Sequence, residues 1–286
     1  MKHRSLLISA ALMLSLLASF AFAQPLSEES KARADQAAPL PFEPAENLVY
    51  EGEFTRALLR GIDVADLHFS FSRAPLPNDK SEAQGQVLHI TAEAISKGIV
   101  SKLFGLNFRQ RVESIVEPKS FSVLQTTKLD EQGKRKRTSE AVFDRSNGKV
   151  VFTELDPNDP SRPPRVVTSQ INGTVQDIAS AFYYLRTQKL VPGTTLELLI
   201  SDTGQVYHIP VRVIKREQLK TVLGKVQTVR VEPELFGEGR LIRGKGEITI
   251  WFTDDARHVP VRAKINNSLG RLDIKLKSMT NSKDEG

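Results

Sequence analysis

Alternation of apolar and polar side chains is clearest in Asp63–Ser72: Ala65, Leu67, Phe69 and Phe71 fall on one side, and Asp66, His68, Ser70 and Ser72 on the other. A period of two predicts a β-strand with one face buried and one turned to water or a ligand. The next run repeats the pattern, with Leu88, Ile90, Ala92 and Ala94 opposite Val87, His89, Thr91 and Glu93. Further strands are expected near Arg109–Glu117, Phe121–Leu129, Arg137–Arg145 and Val150–Leu155. Glu131-Gln132-Gly133-Lys134 and Ser146-Asn147-Gly148-Lys149 supply hairpin-turn chemistry between them. The later chain continues in the same way, with strands expected at Thr195–Ser201, Val206–Lys215, Thr221–Val231, Glu247–Thr253, Val259–Asn266 and Arg271–Lys277. Short strands separated by turn signals, with no fixed repeat period, argue for one antiparallel architecture and against propellers and solenoids.

Two stretches break the alternation. Asp156–Pro164 holds four prolines in nine residues, which forbids a central strand and predicts a surface loop. From Val175 to Lys189 the apolar spacing turns helical, with Ile178, Ala181, Phe182 and Leu185 on one face. Thr174 with Asp177 reads as a capping-box start, and Pro192-Gly193 as a stop. The expected fold is mainly β: a large curved antiparallel sheet, open or half-barrel-like, with one packed amphipathic helix.

The chain ends add an address. Lys2, His3 and Arg4 precede an apolar run from Leu6 to Phe20 and then Ala21-Phe22-Ala23. This pattern predicts a secretory signal peptide over residues 1–23, cleaved after Ala23, and hence a periplasmic destination. The apolar run falls short of the ~20 residues that span a bilayer, and no other stretch has that length and apolarity, so no transmembrane segment is expected after cleavage. Residues 24–46 are rich in Ala, Pro, Glu, Ser and Lys and are expected to form a flexible tether. A single β-rich domain is expected over residues 47–277, and a disordered tail over 278–286.

Composition removes several function classes. There are no cysteines, so disulfides, thiolate zinc sites and thiol redox chemistry are excluded. The formal charge of +6 drops to +4 without Lys2 and Arg4, too mild and too interspersed with acids to make a nucleic-acid footprint. Nucleotide binding would have to use Gly239–Gly246 (GRLIRGKG), but the position needing a magnesium-binding hydroxyl is Gly246, and a strand-like EITIWF follows instead of a helix. No G-x-S-x-G or H-E-x-x-H nucleophile or metal motif marks a catalytic centre. Asp254-Asp255 reads as a turn, and Lys134-Arg135-Lys136-Arg137 as a solvated hairpin tip beside Asp130, Glu131 and Glu140. His68 and His89, on the polar faces of neighbouring strands near Asp66 and Glu93, would make a metal site only if the register brought them together. No metal or cofactor is expected.

Five strings in order, LVYEGEF from Leu48, RVESIVEP from Arg111, FDRSNGKV from Phe143, DIASAFYYLRTQ from Asp177 and ITIWFTDDARHVPVRAKI from Ile248, resemble the domain of unknown function 3108 family of exported bacterial proteins. The resemblance covers nearly the whole expected domain and implies an envelope location and a mostly antiparallel sheet. It brings no agreed activity and no catalytic residues. The expectation is therefore a non-enzymatic binding or accessory protein of the cell envelope. Its concave face would hold a lipid or other amphiphile, lined by Phe182, Tyr183 and Trp251, with Arg186 as a cation for a carboxylate or phosphate. The rivals are a periplasmic hydrolase or metal-dependent enzyme using His68 and His89, and a scaffold that meets an envelope protein partner through an exposed sheet edge.

Overall fold

A computed structural model of the chain describes residues 40–42, 45–57, 59–75, 86–98 and 107–281. The expected signal peptide, residues 1–23, and most of the expected tether lie outside the described residues. The described chain begins one long meander with β1 (Glu46–Arg56), β2 (Leu59–Pro75), β3 (Gln86–Ser96), β4 (Phe108–Val116), β5 (Val123–Gln132), β6 (Arg135–Asp144), β7 (Lys149–Leu155) and β8 (Arg165–Gln170). After β9 (Val175–Gln176) and helix α1 (Ile178–Arg186) come β10 (Thr195–Asp202), β11 (Gln205–Thr221) and β12 (Gly224–Pro233). The meander closes with β13 (Gly246–Thr253), β14 (Pro260–Asn267) and β15 (Gly270–Asn281). All belong to one sheet, in the order β8-β7-β6-β5-β4-β3-β2-β1-β15-β14-β13-β12-β11-β10-β9. The first and last strands therefore pair at its centre, antiparallel, and the two wings run outward from that pair.

The wings curl towards each other. Ser169 Oγ of β8 donates to the Gly204 carbonyl at the β10–β11 turn, 2.6 Å away, and Lys128 of β5 faces Asp202 of β10 at 3.7 Å. No backbone ladder joins the two outer edges among the described residues, so the sheet is open, but its ends touch. The contact selects its residue: at φ +80°, a Cβ on Gly204 would lie 2.7 Å from Phe152 Cβ and 2.8 Å from Val167 Cβ, and only glycine fits.

Helix α1 lies inside the curl. Its Ala179 and Tyr183 pack with Phe71, Ile90, Val116, Phe143 and Phe152 of the first wing. Its Ala181 and Leu185 pack with Leu198, Ile209, Val211, Val229 and Phe252 of the second. A nine-residue helix is marginal alone, so this two-sided burial is what holds it. It starts later than the sequence pattern suggests. Val175 and Gln176 form a short parallel ladder with Leu199 and Ile200 instead, and the cap is Asp177, whose carboxylate accepts from the Ser180 N–H at 2.7 Å. The Ser180 hydroxyl in turn accepts from the Asp177 N–H at 2.9 Å, which makes the capping box one turn downstream of the expected one. Ile178, expected on the buried face, is 47 % exposed as a result.

Both ends of the domain reach further than the composition implies. Phe42, within the expected tether, is buried edge-on against Phe71 and Tyr183, with ring centroids 4.5 and 5.0 Å away, and Glu46 opens β1. One anchoring aromatic outweighs the polar average around it. At the other end Ser278–Asn281, expected in the tail, pair with Glu46–Val49 as the last part of β15. Strand β8, directly after the proline-rich loop, is an element the periodicity does not announce.

Candidate functional site

Strand alternation and register assign each side chain to the inner face, which carries α1, or to the outer one. Around α1 the inner positions are mostly buried, whereas beside the β1–β15 seam a group of them is apolar but only half-buried, with the polar Gln110, Lys128 and Asp130 further out on the first wing. Leu67 and Ala94 form one cross-strand pair there, and Phe69, Ala92 and Val112 the next row. On the second wing Ile250, Ala263 and Ile274 make a row, with Ile265 and Leu272 beside it. Gly52 of β1 lies between the two groups, where a Cβ would meet Leu272 Cδ1 at 3.4 Å and Leu67 Cδ1 at 3.7 Å. The result is a concave apolar surface, roofed by the Phe182 ring, which stacks on Phe69 at 4.5 Å and meets Tyr50 and Phe252 at 6.3 and 6.4 Å.

The expected ligand-lining residues separate. Phe182 reaches this concave surface, half-buried. Tyr183 is completely buried beside Phe42 and Phe71, its hydroxyl without a hydrogen-bond partner, and burial drives its ionisation far above the usual phenol range. Tyr50, hydrogen-bonded to the Pro260 carbonyl at 2.8 Å, is likewise pushed well up by burial. Arg186 does not offer its charge to a ligand. Its Nη1 and Nη2 close on Glu46 Oε1 and Oε2 at 2.5 and 2.9 Å, with both side chains fully buried, and its Nε donates to the Arg257 carbonyl at 3.2 Å. A guanidinium this deep needs a counter-charge, and Glu46 supplies it from the segment expected to be a tether. Trp251 pairs with Arg230 and Arg262 in the ladders and therefore sits on the outer face, opposite Ile250 and Phe252.

Asp177 forms a second polar site on the inner face, apart from the Glu46–Arg186 pair. Besides capping α1, its Oδ2 accepts from Ser114 Oγ and Thr126 Oγ1, each at 2.5 Å. A cavity of about 30 Å³ adjoins it, lined by Val112, Lys128, Ser139, Phe152 and Asp202 among others, enough for about one water. A hollow of about 350 Å³ lies elsewhere, on the outer face of β4–β7, lined by Arg111, Glu113, Thr127, Thr138, Glu140, Thr153, Leu129 and Leu155. Arg111 and Glu113 neutralise each other there at 2.6 Å, beside Thr127, Thr138 and Thr153.

The register separates the two histidines: His68 is paired with Glu93 and His89 with Ser72, four positions apart along β3, or about 13 Å at strand rise. They form no common site. The Lys134–Arg137 tip is largely neutralised, with Arg135 on Asp130 at 2.9 Å, Lys136 on Glu131 at 3.0 Å and Arg137 on Asp156 at 2.5 Å. Gly246 leads into β13, so no helix N-terminus backs the GRLIRGKG loop. Carboxylate oxygens of Glu51, Glu53 and Asp63 lie within 4.8 Å of one another on the outer face. Lys97, Lys277 and Lys275 already supply the positive charge at this cluster.

A sequence profile described as "Protein of unknown function (DUF3108)" matches residues 53–277. Among curated proteins no sequence matches. The fold resembles the crystal structure of a beta-barrel-like protein of domain of unknown function DUF1849 from Brucella abortus, with a TM-score of 0.51 and 11% identity over 83% of this chain and 97% of that one. A protein described as exported, with a YmcC-like fold, from Bacteroides fragilis aligns at a TM-score of 0.29 and 8% identity, over 85% of this chain and 98% of that one.

Proposed function

The chain belongs to the DUF3108 family, and since membership carries no activity with it, we propose that the protein is an exported, non-enzymatic carrier or accessory protein of the cell envelope that holds an apolar or amphipathic molecule on its concave face. The observation that carries this reading is the set of half-buried apolar side chains, Leu67, Phe69, Ala92, Ala94, Ile265, Leu272 and Ile274 among them, facing the inside of the curl. Core positions are normally sealed, so an inward apolar surface left half-wet is one that a guest completes. Each acyl methylene withdrawn from water there contributes ~0.8 kcal/mol. The Lys2–Ala23 leader pattern supports export.

The test is native mass spectrometry of protein purified from its own envelope, followed by titration of delipidated protein with a fluorescent fatty acid. Saturable binding is expected, and Ala94→Trp, which fills the concavity, should abolish it while the melting temperature holds. Absence of saturable binding, or equal binding by Ala94→Trp, would overturn the reading.

A further inference from the structure

The outer face carries a cluster that the concave surface does not use. Trp251 of β13, only 7 % exposed, has three cations within reach of one ring: Arg230 Cζ at 5.9 Å, Arg262 Cζ at 5.8 Å and Lys264 Nζ at 5.6 Å from its centroid. The ladders impose this arrangement. Arg230 and Arg262 flank Trp251 directly across β12 and β14, and Lys264 lies two residues further along β14 on the same face. Arg271 joins them from β15, diagonal to Lys264.

Their charges are unevenly balanced. Arg230 pairs with Glu232, and Arg262 with Asp273. Among the described residues neither Lys264 nor Arg271 closes an ion pair, although Asp273, held by Arg262, stands opposite Lys264 in the ladder. Arg230 Nε is buried with no acceptor. Glu217 is spoken for, accepting from Trp251 Nε1 at 2.8 Å and facing Lys215 Nζ at 3.0 Å. Burial and the charges of Arg262, Arg271 and Arg230 lower the affinity of Lys264 for its proton, while Asp273 alone among its neighbours opposes them. Confined positive charge with unused donors is relieved by an anion, and guanidinium and ammonium groups on one flat face match the several oxygens of a phosphate.

We propose that the outer face beside Trp251 binds a phosphate group through Lys264 and Arg271, with Arg262 and Arg230 completing the positive field. The site is on the opposite side of the sheet from the concavity, so it stands whatever that surface holds. The phosphate is either free or the headgroup phosphate of an anionic lipid.

Trp251 is the only tryptophan of the chain, so its emission reports on this site alone. Titration with inorganic phosphate at constant ionic strength, balanced with chloride, should change that emission saturably. Lys264→Ala and Arg271→Ala should each weaken the apparent affinity about tenfold, with unchanged circular dichroism. In parallel, vesicles of phosphatidylglycerol are compared with vesicles of phosphatidylcholine. A response to free phosphate that the variants lose supports a soluble ligand, and a response to phosphatidylglycerol alone that they lose supports the lipid source. No response to either, or a response the variants keep, overturns the proposal.

Discussion

Replacing Glu46 by Ala should be among the most destabilising single changes in the domain. The carboxylate and the Arg186 guanidinium have no exposed side-chain surface, and the pair is bidentate at 2.5 and 2.9 Å. Removing one partner leaves the other charge buried with only part of its hydrogen bonding, namely Nε to the Arg257 carbonyl. Such changes cost about 3–5 kcal/mol. The guanidinium also lies over the Phe42 and Tyr183 rings, 4.9 and 5.3 Å from their centroids, and this contact persists in the variant. Common to parent and variant, it leaves the difference between them unchanged. For a domain of this size the net loss amounts to a fall in melting temperature of roughly 10 °C. The assay is urea denaturation followed by circular dichroism, with Glu46→Ala, Arg186→Met and the double variant Glu46→Leu/Arg186→Met measured side by side. The double variant should recover most of the loss, because it removes both desolvation costs at once. Single variants within about 1 kcal/mol of the parent, or a double variant whose loss equals the sum of the singles, would refute the account of this pair.

Three further outcomes follow from other parts of the fold. Gly204→Val forces a side chain into Phe152 and Val167 at φ +80° and should cost about 3 kcal/mol, whereas Gly133→Ala, at φ +58° with nothing within 4 Å, should cost about 1; equal melting temperatures for the two would show that the wing contact is not tight. Asp177→Ala removes the α1 cap and orphans the Ser114 and Thr126 hydroxyls, an expected loss of about 3 kcal/mol in urea denaturation; Asp177→Asn, which keeps a cap, should lose less than half of that. Hydrogen bonds from Lys277 and then Lys97 hold the Glu51 carboxyl down to about 2. Its contribution to stability is therefore full above the unfolded value of about 4.3 and fades as pH falls from there towards 2, while the neighbouring Asp63, raised by burial and by Glu51, works in the opposite sense. Carbon-13 titration of Glu51 checks this: a midpoint above 4, or one that Lys277→Ala fails to raise, contradicts it.

The inner face was legible in the sequence wherever one strand carried its own signal. Ala65, Leu67, Phe69 and Phe71 of β2 and Leu88, Ile90, Ala92 and Ala94 of β3 face inward as their alternation implies, because a period of two fixes the face whatever the partner strand is. Properties set by pairing were not legible. Whether His68 meets His89, and which face of the sheet Trp251 occupies, depends on register and on which face α1 covers. The helix start misled for a related reason: Thr174 and Asp177 are both acceptable caps, and the ladder from Val175 and Gln176 to β10, a tertiary contact, decides between them. Phe42 and Glu46 went unread because their partners, Tyr183 and Arg186, lie more than a hundred residues away. The half-wet inner surface was anticipated only as a concave face. That Phe182 would reach it while Tyr183 and Arg186 turn into the core follows from how α1 rolls between the wings.

Because Glu46–Thr55 align with Arg271–Asn281, a growing polypeptide cannot finish its central seam until β15 is available. Each wing is built from neighbouring hairpins and can assemble locally and fast, but the join between them closes a loop of more than two hundred residues. A chain emerging in order from a ribosome or a translocation pore therefore carries two unfused half-sheets until β15 has emerged. Truncating β15 should strand it there, with both central edges bare and ready to pair with the wrong neighbour.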